Sequence, residues 1–224
     1  MNRTLLIMAA IAAAAMGAFG GMRLASRATG ENEAAPTTGE AAAMPSQAAA
    51  PTLRAFKRYP EPRVVADFAL FDQHGEAFDL SRWQQRWTLV FFGFTHCPDI
   101  CPSTMALMSS VLDGADLGDA LGVTFVSVDP DRDSASHLAD YVGFFDPRFD
   151  AATGPMPQLV ALTHQLGVLF DIEPHEPDAT SYNVDHSASV LLLNPQGRLV
   201  GQFPAPQQLE LLVSDLKQLV GSNP

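Results

Sequence analysis

Cysteine is scarce in this chain: 224 residues contain two, Cys97 and Cys101. Neither lies directly after the N-terminal apolar run, which excludes a lipid carried on an N-terminal cysteine. Positive charge is also short, with 13 Lys and Arg against 25 Asp and Glu and a formal net charge of -12. A phosphate backbone needs a basic footprint, so nucleic acid is excluded as a partner. Arg54, Lys57, Arg58 and Arg63 crowd one segment, and from Val64 onward six basic residues face twenty-one acidic ones. There is no internal repeat. One long apolar run exists, Leu5 to Met22, after Arg3 and before Arg23 and Arg27. It is just long enough to cross a bilayer, and its position predicts an uncleaved anchor with its start in the cytoplasm. The competing reading is a signal peptide cleaved near Ser26-Arg27-Ala28.

What is present concentrates at residues 87–102. Leu89 to Phe94 is short, apolar, and β-branched or aromatic without alternation, the pattern of a strand covered on both faces. Gly93 is its one gap. Pro98 and Pro102 follow the two cysteines, and from Ser103 the positions Met105, Leu107, Met108, Val111 and Leu112 have a helical period. Pro102 suits a first turn. The thiols therefore fall where a buried parallel strand gives way to a helix N-terminus, an edge where ligands and reactive groups collect. Unpaired N–H groups and the positive end of the helix favour a thiolate there. Cys-x3-Cys places two sulfurs on one side of a helical turn, with Cα atoms about 6 Å apart. Such a pair can bond to itself or pinch a soft metal.

Along the chain, residues 29–54 are rich in Ala, Pro, Thr and Glu and read as a flexible linker. Ala66–Phe71 and Glu76–Leu80 predict a hairpin turning at Gly75, and Ser81 a cap for a helical turn at Trp83. Val123–Val128 predicts a second central strand, parallel to the first because a helix separates them. Ser134 caps a helix ending at Phe145. A short strand at 149–152 and a helix over 156–168 follow, then a loop over 170–183. Val184–His186 leads into Ser187–Leu193, a turn at Asn194–Gly197 and a returning strand to Phe203. A last helix covers 206–220. That order predicts an α/β, thioredoxin-like sandwich with an N-terminal β-hairpin extension, preceded by a single membrane anchor helix. The domains are 1–28 (anchor or signal segment), 29–54 (linker) and 55–224 (the folded domain).

Six histidines could join the cysteines. His74, His137, His164 and His175 read as solvated or packing residues, and His96 points away from Cys97 if the chain is extended there. His186 begins a strand on the hairpin neighbouring the cysteine turn, so ligand and structural roles both stay open for it. Two thiolates and one imidazole do not make a four-ligand structural zinc site. They suit Cu(I), and with an added oxygen ligand Cu(II). The alternative is a redox-active pair, in which Cys97 attacks a partner disulfide and Cys101 resolves it. Asp129, Asp131, Asp133 and Asp140 fit a calcium-loop spacing, but Ser134 stands where that loop needs glycine, so strand-end and capping roles are expected. Asp129 lies where it could orient the site.

Phe92 to Pro102 (FGFTHCPDICP), Val126 to Asp133 (VSVDPDRD) and Val184 to Ser187 (VDHS) resemble the three signature blocks of the Sco/SenC family of copper chaperones, over about 64–220. Asp131 departs mildly from the Glu common in the second block. The resemblance implies copper ligation by Cys97, Cys101 and His186. It implies a membrane-tethered chaperone that delivers copper to the binuclear copper site of cytochrome c oxidase subunit II, or prepares its thiols. It also implies an upstream copper donor and a thiol reductant, and a bacterial inner membrane location with the folded domain on the periplasmic side.

Overall fold

The computed structural model describes residues 52–176 and 179–221. The expected anchor and all but the last residues of the expected linker lie outside that range. Among the described residues no helix is long and apolar enough to cross a membrane.

The first strand, β1 (Lys57–Arg63), is followed by the hairpin β2 (Leu70–Asp72) and β3 (Ala77–Phe78). Next come β4 (Trp87–Gly93), α1 (Ile100–Ala115), β5 (Leu121–Ser127), α2 (Ala135–Phe145) and β6 (Asp150–Thr153). Then α3 (Met156–Leu166), β7 (Phe170–Ile172), β8 (Val184–His186), β9 (Val190–Leu193), β10 (Leu199–Phe203) and α4 (Leu209–Gly221) complete the chain. Eight strands form one sheet in the order β1-β10-β9-β4-β5-β6-β2-β3, and β7 and β8 form a separate ribbon.

β4 and β5 are buried at every position and run parallel, from Trp87 opposite Leu121 to Gly93 opposite Ser127. Strands covered on both faces need no alternation, and that is why β4 reads as a continuous apolar run. With β6 parallel to β5 and the hairpin β9–β10 antiparallel on the far side of β4, the expected thioredoxin-like sandwich is present. Its N-terminal hairpin turns at Gly75, where φ is +81°.

Three local expectations need correction, and one strand was not expected. The cap before Trp83 is Asp79, whose carboxylate accepts from the N–H and hydroxyl of Ser81 at 2.9 and 2.6 Å. α1 begins at Ile100, two residues before Pro102. β1 was hidden because Pro60 and Pro62 interrupt any strand pattern; at a sheet edge they cost no interior ladder bonds, and the register with β10 is irregular between Arg58 and Arg63. Finally, the segment 170–183 does not begin as loop: β7 pairs antiparallel with β8, Phe170 opposite His186. His186 thus sits on this ribbon and not on the main-sheet hairpin.

Candidate metal centre

β4 ends at Gly93, and the chain turns sharply through Thr95 and His96 before α1. A buried carboxylate holds that turn. Asp133, fully buried after β5, accepts from the Thr95 N–H (3.0 Å), the Thr95 hydroxyl (2.6 Å) and the Ser127 hydroxyl (2.5 Å). An ionised acceptor makes each of these bonds stronger than a neutral pair, so the ends of β4 and β5 are tied together at the cysteine corner.

Cys97 precedes α1 and Cys101 lies in its first turn. Asp99 occupies the N-cap position, yet its side chain makes no capping bond. The Cys97 sulfur takes that part instead, accepting from the Cys101 N–H at 3.4 Å. Both cysteines are free and buried, Cys101 completely. Gly93 explains itself here: a Cβ on it would stand 2.7 Å from the Cys101 sulfur.

The ribbon brings in the third group. His186 Nε2 lies 3.3 Å from the Cys101 sulfur, and its Nδ1 lies 3.1 Å from the Ser187 carbonyl oxygen. A carbonyl can only accept, so Nδ1 carries the proton and Nε2 turns its lone pair toward the sulfurs. The ring stands edge-on to Phe91 and Phe94, with centroids 5.7 and 6.0 Å away. One donor atom each from Cys97, Cys101 and His186 lies within 4.8 Å of the others. The sequence left the proximity of His186 open; the fold supplies it.

Burial sets the protonation. It pushes the Cys101 thiol well above the ordinary range, more than a backbone hydrogen bond at Phe94 lowers it. At Cys101 burial therefore works against the thiolate that a helix N-terminus favours. Burial also lowers the His186 pKa, with the Ser187 carbonyl and Asp185 acting the other way, so the imidazole is held neutral. A neutral imidazole and a protonated thiol form a latent ligand set: a soft cation completes it by displacing the thiol proton.

Three residues that the sequence reading had not singled out lie around the site, and two of them brace the segment leading into β8. Tyr182, just before β8, donates its hydroxyl to Asp129 at 2.6 Å. Arg132 pairs with Asp129 at 2.5 Å and donates to the Tyr182 carbonyl at 3.1 Å. The guanidinium lies 3.5 Å from the Tyr182 ring centroid and the His175 ring stacks at 3.6 Å, so the two must occupy opposite faces. The third residue is Tyr141, whose buried hydroxyl has no partner and whose pKa is raised first by burial and then by the nearby sulfurs. Its place in the apolar period of α2 concealed it. The acidic Asp-Pro-Asp-Arg-Asp block was the available signal for the others: the expected strand-end role of Asp129 is met through Tyr182. Above the cysteines, an open cavity of about 420 Å³ is lined by Phe94, Cys97, Ile100, Val184 and His186 among others. It reaches Cys97 and not Cys101. A larger cavity of about 600 Å³ beside α3 touches none of the three donors.

Residues 57–221 match the SCO1/SenC family model. The chain belongs to the SCO1/SenC family. Similar family members include a Stutzerimonas stutzeri protein named for copper binding, 34% identical over 163 residues, 72% of this chain and 79% of that one. The mitochondrial SCO2 homolog of Homo sapiens is 33% identical over 155 residues, 68% of this chain but 58% of its own length. Among solved Sco structures, copper-bound ScoI of Bradyrhizobium japonicum is 31% identical with a TM-score of 0.62, covering 69% of this chain and 98% of that one. Copper-bound yeast Sco1 is 27% identical with a TM-score of 0.67, covering 73% and 91%.

Proposed function

We propose that this chain is a membrane-tethered copper chaperone in which Cys97, Cys101 and His186 take up copper and pass it to the binuclear copper site of cytochrome c oxidase subunit II. The observation carrying this reading is the meeting of two sulfurs and one imidazole lone pair within 4.8 Å. Three soft or borderline donors, with no fourth His, Cys, Asp or Glu grouped with them among the described residues, suit Cu(I) and leave a coordination position for a receiving thiolate. Support for the cargo comes from the copper-bound family structures. Support for the recipient comes from the family's description as cytochrome c oxidase assembly proteins, given for the Sco protein BsSco. In this reading residues 5–22 anchor the chain in the bacterial inner membrane, with the folded domain in the periplasm. An upstream donor supplies the copper and a thiol reductant keeps the pair reduced.

Transfer follows from the layout. Cys101 is sealed in the core and Cys97 borders the cavity, so an incoming thiolate meets the metal from the Cys97 and His186 side. His186, on a two-stranded ribbon outside the main sheet, is the donor that can leave with least disturbance.

A second reading, thiol-disulfide exchange, draws on the same exposure difference. The Cys97 thiolate attacks a partner disulfide and releases one partner thiolate. The Cys101 sulfur, giving up its proton, then displaces the second, leaving a Cys97–Cys101 disulfide and a dithiol partner that has gained two electrons. The thiol reductant restores the pair. Cu(I) titration of the reduced full chain against a competing chelator separates the readings. Chaperoning predicts one equivalent bound, lost in Cys97→Ser and Cys101→Ser and weakened at least about tenfold in His186→Ala. Disulfide reduction that survives His186→Ala in a chain with no stoichiometric Cu(I) binding would establish the second reading instead.

A further inference from the structure

One residue before Cys97, a different donor set converges. His96, Asp133 and His137 each place one ligand atom within 4.8 Å of the other two. His96 Nδ1 is 3.7 Å from Asp133 Oδ1, and the two imidazole rings stand at 86° with centroids 5.3 Å apart. No local pattern joins them, since His137 lies on α2 and His96 on the cysteine turn.

We propose that His96, Asp133 and His137 form a second metal site, selective for divalent borderline ions and binding Cu(II) more tightly than Zn(II). The chemistry differs from that of the sulfur site. Two imidazoles and one carboxylate are nitrogen and oxygen donors, which suit divalent first-row ions, whereas Cu(I) prefers the thiolates.

The pieces are already oriented. His137 Nδ1 is 3.3 Å from the Arg132 carbonyl oxygen, so the proton sits on Nδ1 and Nε2 is left as a donor. An imidazole fixed through its other nitrogen by a carbonyl is the usual support of a metal-bound histidine. Asp133 is immobilised by three hydrogen bonds, and Oδ1 accepts only one of them, from Thr95. Metal bonds of about 2.1 Å bring tetrahedral donors to about 3.4 Å of one another, so the triad must contract. His96 can close the gap, because its side chain is 42% exposed; doing so gives up the 3.1 Å contact of its Nδ1 with the Thr95 hydroxyl. The positive end of α2 opposes a cation here, but it amounts to about half a charge against the full charge of a buried carboxylate.

The proposal does not depend on the copper chaperone reading, and its test keeps the two apart. The full chain carrying Cys97→Ser, Cys101→Ser and His186→Ala has no sulfur site. It should bind one equivalent of Cu(II), with electron paramagnetic resonance showing hyperfine coupling to two imidazole nitrogens, and Zn(II) should compete. Adding His96→Ala or His137→Ala should weaken binding at least about tenfold and remove one nitrogen from the coupling. Should the triple variant fail to fold by circular dichroism, the same titration runs on the wild-type chain oxidised to its Cys97–Cys101 disulfide. Absence of stoichiometric Cu(II) binding, or binding unchanged by both histidine substitutions, overturns the proposal.

Discussion

Gly93→Ala tests the claim that the sulfur site is positioned by the core and not by the loops around it. The backbone offers no objection, because Gly93 is a strand residue outside the positive-φ set. The objection is contact: the new methyl would lie 2.7 Å from the Cys101 sulfur, 3.0 Å from Phe125 and 3.4 Å from Phe91. Ordinary contact is about 3.5–4.0 Å, so the sulfur must retreat by about 1 Å, and the two rings block the methyl from yielding instead. Overpacking a buried site of this kind costs about 1–3 kcal/mol. A shift of about 1 Å also exceeds the tolerance of about 0.5 Å within which a binding constellation works. Urea denaturation should show the stability loss. A chelator competition should show Cu(I) binding weakened by about 10–100-fold, the range caused by disturbing a ligand's support. Gly143→Ala is the control, on an exposed face of α2 with nothing within 4 Å of the added carbon; it should stabilise by about 0.5–1 kcal/mol. A Gly93→Ala chain with wild-type urea midpoint and wild-type Cu(I) affinity would refute the packing argument.

Tyr182→Phe removes the hydroxyl bond to Asp129 and keeps the ring between Arg132 and His175. A hydrogen bond to a charged acceptor contributes about 1.5–3 kcal/mol, so the ribbon should loosen and Cu(I) should leave several-fold faster in stopped-flow chelator exchange; an unchanged off-rate would remove Tyr182 from the positioning of His186. At the far end of α2, hydrogen bonds from the Arg148 side chain hold the Asp146 carboxyl at about 2, against an ordinary 3.8. Because the folded value is the lower one, this stabilisation is complete above about pH 4 and is lost as pH falls toward 2. Arg148 is half exposed, which reduces the contribution to roughly 1 kcal/mol. Urea midpoints measured from pH 5 to pH 2 should therefore fall less steeply in Asp146→Asn than in wild type.

Local pattern carried much of the architecture. A fully buried strand declares itself by an unbroken apolar run, and a helix by its period and its cap, so β4, β5 and the Ser134 start of α2 were readable directly. Gly93 stood out as a gap, but its reason, the Cys101 sulfur, is a contact across the strand-to-helix turn that no local pattern records. β1 and β7 escaped for a related cause. An exposed edge strand broken by two prolines, and a three-residue strand in a ribbon outside the main sheet, owe their existence to their partners β10 and β8.

The two thiols and their place before a helix follow from sixteen consecutive residues, because strand, turn and helix are local events. The imidazole that meets them lies 85 residues beyond Cys101. Its approach depends on β7 pairing with β8 and on Tyr182 being held by Asp129 and Arg132, interactions between segments distant in the chain. The same holds for His96 and His137: separate elements carry them, and packing of α2 beside the cysteine turn makes them neighbours. Residue types announce what chemistry is available, whereas long-range pairing selects which donors share a volume small enough for one ion.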